Sequence, residues 1–293
     1  MRDRCVILSR SRRRALAGGL TAVLLMLTAP VLAENPPAAA LQPSHSAEAD
    51  QAKQYADCMS AARATPAQGL TTAQLWAQKG GGTPAGHCAA VALIGLGRYE
   101  EAASSMEKLA GQEMKGRKDL AASLYDQAAQ AWVLANDNAK AVKDVGAAIA
   151  LAPQDPDLLV DRGVILASMG RYRESVDDLS KAHDLAGSRA DILVFRATAY
   201  RMLKSFDLAR ADIDQAIKLE PKNPDAYLER GIIRKLRNDT PGAREDWQRA
   251  VALGPGTLAA QTAEANLKQL DQGGAPVATQ PAPPPGPTAA PTQ

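Results

Sequence analysis

Two cysteines, Cys58 and Cys88, are the residues of the central chain most capable of chemistry, and they stand 30 positions apart. That separation lacks the Cys-x-x-Cys spacing that tunes a reactive thiol. His87 precedes Cys88, but adjacent side chains on a helix diverge, and His45 and His183 are distant in sequence. A metal site is therefore not expected. A structural disulfide and a redox-active pair remain as alternatives.

Arginine and aspartate recur at an interval of 34 residues. The arginines are Arg162, Arg196 and Arg230, and the aspartates are Asp144, Asp178, Asp212 and Asp246. Such a row of arginines could bind an anionic ligand, but the matching period favours structural ion pairs between helices. Pairing within one period leaves Asp144 alone, whereas pairing to the following period leaves Asp246 alone, so counting does not identify the partners.

No set of residues indicates an enzyme. The cluster Gly80-Gly81-Gly82 lacks the Lys-Ser/Thr that follows a phosphate-binding loop, and it reads as a turn that ends a helix. A nucleophile with a matching base is not apparent. We therefore expect no catalytic residues, no metal and no cofactor.

The N-terminal segment predicts export. Six arginines and one aspartate precede an apolar stretch, Ala15 to Leu32, which ends in the small-residue pattern Val31-Leu32-Ala33. This order is that of a secretory signal peptide over 1–33, with an uncleaved membrane anchor as the alternative. The Arg12-Arg13 pair also allows a twin-arginine export route. We expect a periplasmic protein without stable membrane insertion after cleavage.

Removal of the signal changes the charge of the protein. The whole chain carries 34 basic and 32 acidic residues. Without residues 1–33 the balance is 28 basic against 31 acidic, a net charge of −3. With few aromatic residues besides, the chain lacks the features of a nucleic-acid-binding protein. Segments 34–48 and 272–293 are rich in Pro and Ala, and we expect a flexible linker and a disordered tail.

The residues between these segments repeat. Segments 122–155, 156–189, 190–223 and 224–257 align without gaps. Small residues occupy all four eighth places (Ala129, Gly163, Ala197, Gly231) and all four twentieth places (Ala141, Ser175, Ala209, Ala243). Apolar residues at intervals of three and four within each half predict two amphipathic helices per segment.

The pattern resembles the tetratricopeptide repeat. The resemblance implies an all-α, right-handed superhelical solenoid of antiparallel helix pairs over 49–271, with flexible Pro/Ala-rich tails. A further repeat is expected at 83–110, with helices near 84–96 and 99–110 and a long loop from Gly111 to Lys118. A divergent helix pair is expected at 48–80, and a capping helix at 257–270.

In this architecture the first helices of neighbouring pairs lie side by side. A structural disulfide between Cys58 and Cys88 is therefore favoured over a redox pair. The first helices also line the concave surface of such stacks. The positions that map there, called the concave set below, are Asp126, Gln130, Val133, Val160, Val164, Ala167, Val194, Thr198, Arg201, Leu228, Ile232 and Lys235.

The concave set would present an exposed apolar middle and a basic C-terminal edge. A peptide or partner helix with an acidic end would suit it, although the protein's own tail or a second copy could cover it instead. We therefore expect a non-enzymatic scaffold or adaptor that binds a protein or peptide in the cell envelope. A chaperone-like assembly factor for exported clients is the alternative, and an enzyme is third.

Overall fold

A computed structural model describes residues 45–273, and every regular element in this range is an α-helix. The thirteen helices are α1 (His45–Ala64), α2 (Pro66–Gln78), α3 (Gly82–Gly95), α4 (Tyr99–Glu113), α5 (Lys118–Leu134), α6 (Asn138–Leu151), α7 (Pro156–Ser168), α8 (Tyr172–Leu185), α9 (Ala190–Met202), α10 (Phe206–Leu219), α11 (Pro224–Leu236), α12 (Thr240–Leu253) and α13 (Leu258–Asp271). Consecutive helices pack as pairs. The prediction of an all-α solenoid is confirmed.

Local sequence explains where these helices begin. Asp155 and Asn223 accept hydrogen bonds from backbone N–H groups of the first turns of α7 and α11. Pro156 and Pro224 follow them at the first helical position, where a proline costs no intrahelical hydrogen bond. The same Asp or Asn followed by Pro therefore starts the first helix of two separate repeats.

The turn between the two helices of a pair needs a residue with a positive φ angle. Five pairs place such a residue at the equivalent turn position: Gly97, Asn136, Gly170, Lys204 and Asn238, with φ between 59° and 75°. Glycine adopts this conformation without steric cost, and asparagine tolerates it. Lys204 is the exception in this group, because lysine neither adopts a positive φ angle freely, as glycine does, nor tolerates it as asparagine does.

Small residues let the paired helices approach closely. A Cβ atom on Gly163 of α7 would lie 2.9 Å from Leu179 Cγ of α8. A Cβ atom on Gly231 would collide with the indole of Trp247, which is itself fully buried. The alanine-rich composition thus marks contact positions between helices.

Some boundaries differ from those expected. Helix α4 continues to Glu113, so the loop before α5 covers only 114–117 rather than Gly111 to Lys118. Arg117 donates to both carboxylate oxygens of Glu113 (2.8 and 2.6 Å), and Thr83 of α3 also contacts Glu113. These contacts hold the extra turn of α4 in place.

The structure describes only part of the two terminal segments of the chain. Helix α1 begins at His45, inside the segment expected to be a linker, and 272–273 form a turn after α13. The signal segment 1–33 and most of the segments 34–48 and 272–293 lie outside the described residues. Within 45–273, no helix has the length and apolar character to cross a membrane.

Candidate functional site

Cys58 of α1 and Cys88 of α3 form a disulfide in the structure. Their sulfur atoms are 1.97 Å apart, and both residues are buried. The bond joins the first helices of two successive pairs, the arrangement that the repeat resemblance implied. Fully buried sulfur is poorly placed for thiol exchange, and this burial suits a structural disulfide.

His87, beside the disulfide, belongs to a buried hydrogen-bond chain. Its Nδ1 lies 2.6 Å from the Tyr55 hydroxyl, and its Nε2 lies 2.7 Å from Gln127 Oε1. Gln127 in turn donates to the Ser123 hydroxyl at 3.2 Å. Burial lowers the pKa of His87, so a neutral imidazole links α1, α3 and α5. Within 45–273, no group of three His, Cys, Asp or Glu side chains could hold a metal ion.

The periodic arginines each bind the aspartate of their own repeat. Both contacts in each pair are short: Arg162–Asp178 (2.6 and 2.7 Å), Arg196–Asp212 (2.8 and 2.8 Å) and Arg230–Asp246 (3.0 and 2.8 Å). These bidentate bonds run from the first to the second helix and neutralise the arginines. The structure therefore selects pairing within a repeat, which the count of residues left open.

Asp144 is an exception, and placing it among the Arg–Asp pairs was wrong. Its own repeat has Ala128 where the later repeats have arginine. Asp144 is 1% exposed, and its Oδ2 has no hydrogen-bond partner. Burial, together with the nearby carboxylate of Glu107, raises the pKa of Asp144 from 3.8 to about 7.

Most of the concave set is buried, which corrects the expectation of an exposed apolar patch. Val160, Val164, Ala167, Val194, Leu228 and Ile232 each retain at most 8% exposure. Val160 and Val164 pack with Ile192 of the next repeat, and Leu228 and Ile232 pack with Trp247 of α12. These side chains are used to stack helices on one another.

The basic edge of the concave set also differs from expectation. Arg201 donates to Glu229 at 2.5 Å, and each side chain is only 3% exposed. Thr198 is buried as well and donates to the backbone carbonyl of Val194. Lys235 stays half-buried, with its ammonium 3.4 Å from the Thr240 hydroxyl. Glu229 stands at the sixth place of its repeat, where the other repeats have Gln127, Asp161 and Phe195, so the repeat pattern did not reveal an ion pair there.

The N-terminal part of the concave set is acidic. Asp126 of α5 is half-buried and accepts a hydrogen bond from Gln130 Nε2 at 3.1 Å. Burial and the facing carboxylate of Asp161, on α7, raise the pKa of Asp126 to about 8. Asp161 is absent from the concave set because the set takes the fifth, ninth and twelfth places of each repeat, and Asp161 stands at the sixth place.

A cavity of about 330 Å³ leads to Asp126 and is called the acidic pocket below. Asp119 and Ser123 line it from α5, and Asp155 and Asp157 line it from the start of α7. Asp119 and Asp157 are exposed, so the pocket connects Asp126 with solvent. Val133, at the other end of α5, is half-buried.

The fold and this surface define a class of protein built from stacked helix pairs. Residues 196–257 match the family model described as tetratricopeptide repeat. Among solved structures, the C-terminal part of a TPR repeat-containing protein from Cytophaga hutchinsonii is 13% identical, with 75% of this chain and 83% of that chain covered and a TM-score of 0.57.

Two other solved structures illustrate the range of similarity. The first TPR of Spaghetti (RPAP3), bound to an HSP90 peptide, is 28% identical over 41% of this chain and 93% of that chain, with a TM-score of 0.38. A MamA protein is 18% identical over 52% of this chain and 82% of that chain, with a TM-score of 0.44. No curated protein matches the chain. Residues 196–257 thus match the tetratricopeptide repeat, and the described helix pairs share its fold, which supports a protein–protein interaction scaffold.

Proposed function

We propose that this protein is a non-enzymatic adaptor that binds a partner peptide or helix through the concave set. The observation that carries the proposal is the tetratricopeptide-repeat fold, since residues 196–257 match that family model and stacks of this kind present extended concave binding surfaces.

The surface has half-buried residues at both of its ends. Asp126 and Val133 lie on α5, and Lys235 lies on α11, with buried stacking residues between them. Half-buried side chains can contact a partner without being needed for the fold. Replacing buried Val164 or Leu228 with Asp would instead place a charge in the packing between helices and unfold it.

Photo-crosslinking tests this proposal. A photo-reactive amino acid is placed at Val133 or Lys235, and at Lys181 or Gln248 as controls, because both controls are exposed on second helices. We expect crosslinks to one stoichiometric envelope partner from the first pair of positions alone. Equal crosslinking from all four positions would contradict the concave surface, and many weak clients would favour the chaperone-like alternative.

We propose further that the protein works in the periplasm after removal of residues 1–33. The arginine-rich segment followed by an apolar stretch supports export. A disulfide between Cys58 and Cys88 is also consistent with an oxidising compartment. Intact-mass analysis of the periplasmic fraction should detect a chain that starts at Glu34 with an oxidised cysteine pair. A full-length chain in the membrane fraction would indicate a retained anchor.

A further inference from the structure

The turns between the two helices of each pair lie along one edge of the stack, called the turn edge below. Every first helix ends at this edge, and every second helix begins there. Side chains join neighbouring turns: Asn138 at the start of α6 donates to the Ser168 hydroxyl at the end of α7 (3.2 Å), and Arg237 after α11 binds Asp207 of α10. The ends of successive first helices therefore follow one another along the turn edge.

Each first helix from α3 to α11 leaves a large apolar side chain exposed at or directly after its end. These residues form the apolar row: Leu96, Leu134, Met169, Met202 and Leu236. Each of them is 38–44% exposed. Single exposed apolar residues are ordinary in proteins, whereas one at the same end of five successive first helices forms an extended apolar strip. Half-buried aromatic residues begin three of the adjoining second helices, namely Tyr99, Tyr172 and Phe206.

The described chain ends beside this row. Helix α13 takes the position of a further first helix, since it packs against both α11 and α12. Asp271, its last residue, lies 2.5 Å from Arg244 near the start of α12, so the C-terminal end of α13 stands at the turn edge. Gly273 follows with a φ of 76°, close to the 75° of the turn residue Gly170. The chain beyond Gly273 therefore leaves the fold one helix away from Leu236.

Residues 274–293 lie outside the described residues and are called the C-terminal tail below. They contain seven prolines and no charged residue. A polyproline II helix has three residues per turn, so positions three apart share one of its faces. One such face of the C-terminal tail consists only of alanine and proline: Ala275, Ala278, Pro281, Pro284, Pro287 and Ala290. Proline-rich segments with proline at every third position dock on surfaces lined by aromatic side chains.

We propose that this alanine and proline face docks on the apolar row of the same chain. A polyproline II helix advances about 3.1 Å per residue, hence about 9 Å per turn, and packed helices lie about 8–10 Å apart. One turn of the C-terminal tail thus matches the step from one repeat to the next. From Gly273 to Pro287 the chain can span about 43 Å, which covers the four steps from α13 to Leu134 at the end of α5.

The covalent link favours the C-terminal tail over a separate partner. Because the tail leaves the fold at the turn edge, its effective concentration there is about millimolar, so weak contacts suffice. Proline also restricts the undocked segment, which lowers the conformational entropy that docking costs. Docking would order a segment that the sequence predicts to be disordered. It uses the turn edge and not the concave set, so the proposal does not depend on the adaptor role.

Methionine methyl groups provide a direct test in the chain without residues 1–33. Met169 and Met202 belong to the apolar row, whereas Met114 is 43% exposed and follows the end of α4, at the opposite edge. With carbon-13-labelled methyl groups, ending the chain at Gly273 should shift the resonances of Met169 and Met202 and leave that of Met114 in place. Unchanged resonances of Met169 and Met202 would overturn the proposal.

Two proline variants of equal composition test the face that docks. The first removes three prolines of the docking face: Pro281→Ala, Pro284→Ala and Pro287→Ala. The second removes three prolines of the other faces: Pro276→Ala, Pro283→Ala and Pro285→Ala. The first variant should move the resonances of Met169 and Met202 toward those of the shortened chain, and the second should leave them as in the parent. Equal effects of the two variants would overturn the assignment of the docking face.

Leucine variants test the apolar row from the side of the fold. Leu134→Gln/Leu236→Gln changes the row, and Leu185→Gln/Leu219→Gln is the control, because both of its residues end second helices at the opposite edge with 41% and 39% exposure. Proteinase K should remove the C-terminal tail about fivefold or more faster from the row variant, and at the parent rate from the control. Equal cleavage rates in the parent and the row variant would contradict docking.

Dilution identifies the molecule that supplies the tail. Docking within one chain predicts resonances of Met169 and Met202 that do not change on dilution, together with a monomer in sedimentation. Resonances that approach those of the shortened chain on dilution would show that a second copy supplies the tail, and would overturn docking within one chain. Crosslinking of a partner at Val133 tests the adaptor role separately, so failure of tail docking leaves that proposal standing.

Discussion

The periodic arginines contact more than their own repeat. Arg196 Nη1 lies 3.3 Å from the Ser180 hydroxyl, and Arg230 Nη1 lies 3.4 Å from Asp214 Oδ1. Ser180 and Asp214 belong to the second helix of the preceding repeat. The sequence predicted ion pairs from the shared period but not their partners, because a period alone is equally compatible with either neighbouring helix.

Asp144 shows why a repeat pattern can mislead at its ends. Its place in the repeat matches that of Asp178, Asp212 and Asp246, but its surroundings include Glu107 from a repeat that is offset by 39 rather than 34 residues. No alignment of the four regular repeats could reveal that neighbour. In place of an ion pair, the structure therefore has the buried carboxyl group of Asp144 beside the half-buried carboxyl group of Glu107.

Asp144→Asn should make stability less dependent on pH. The pKa of Asp144 is about 7 in the folded protein against 3.8 in a model peptide, so the folded state binds the proton more tightly. Its contribution to the free energy of unfolding therefore falls as pH rises from about 4 to about 7. At pH 8 the Asn variant should be more stable than the parent by about 1 kcal/mol or more.

Thermal unfolding followed by circular dichroism at pH 4.5 and pH 8 measures this difference. Asp178→Asn is the matched control, since it stands at the same place of the next repeat and weakens a bidentate arginine pair. It should destabilise the protein at pH 8. A parent that is more stable than Asp144→Asn at pH 8 would reject the account of Asp144.

The helix boundaries agree with the sequence prediction where the chain contains a residue type that is typical of a helix cap or a turn. The Asp-Pro and Asn-Pro starts and the Gly170 turn were readable because each residue type has a direct conformational reason. The turn at Lys204 could be predicted only from its place in the 34-residue repeat, since lysine has no preference for a positive φ angle. The extra turn of α4 depends on side chains that meet after folding, and local preferences do not encode it.

Lys204→Gly should stabilise the protein. Lys204 has a φ of 59° and an exposed side chain, so glycine removes the steric cost of the left-handed conformation and loses no buried contact. We expect a gain of about 0.5–1 kcal/mol, partly offset by the flexibility of glycine in the unfolded chain. The reverse change at the equivalent turn, Gly170→Lys, should destabilise by a similar amount in chemical denaturation. An unchanged midpoint in both variants would contradict the strain argument.

The described chain has a series of cores instead of one. Buried residues form clusters shared by adjacent helices, such as that of Cys58, Trp76 and Cys88 at one end and that of Leu228 and Trp247 at the other. Residues far apart in sequence therefore do not stabilise one another directly. The sequence predicted this stacking from its period, whereas the acidic pocket depends on side chains of two repeats and emerged only from the structure.

Loss of the disulfide should loosen one end of the stack only. Replacing both Cys58 and Cys88 with Ala removes a crosslink worth about 3 kcal/mol in the chain-entropy model. Because contacts are local, hydrogen exchange should accelerate in α1 to α3 and stay unchanged in α9 to α12. Mass-spectrometric exchange measures this, with the reduced parent as a second sample that should behave like the variant. Uniform acceleration along the chain would show that the stack unfolds as one unit.

The contacts of the periodic arginines affect which repeats the protein could gain or lose during evolution. Each periodic arginine bonds mainly to an aspartate in its own 34-residue unit. The residue that it faces in the preceding unit differs from one arginine to the next and is Gly146, Ser180 or Asp214. Deleting 156–189 would bring Arg196 opposite Gly146, the neighbour that Arg162 already tolerates. The unit 156–189 can thus be lost without stranding a periodic arginine, whereas loss of 190–223 or 224–257 would separate the buried Arg201–Glu229 pair. An evolving chain is therefore freer to adjust the length of its binding surface at the first of these units than at the last two.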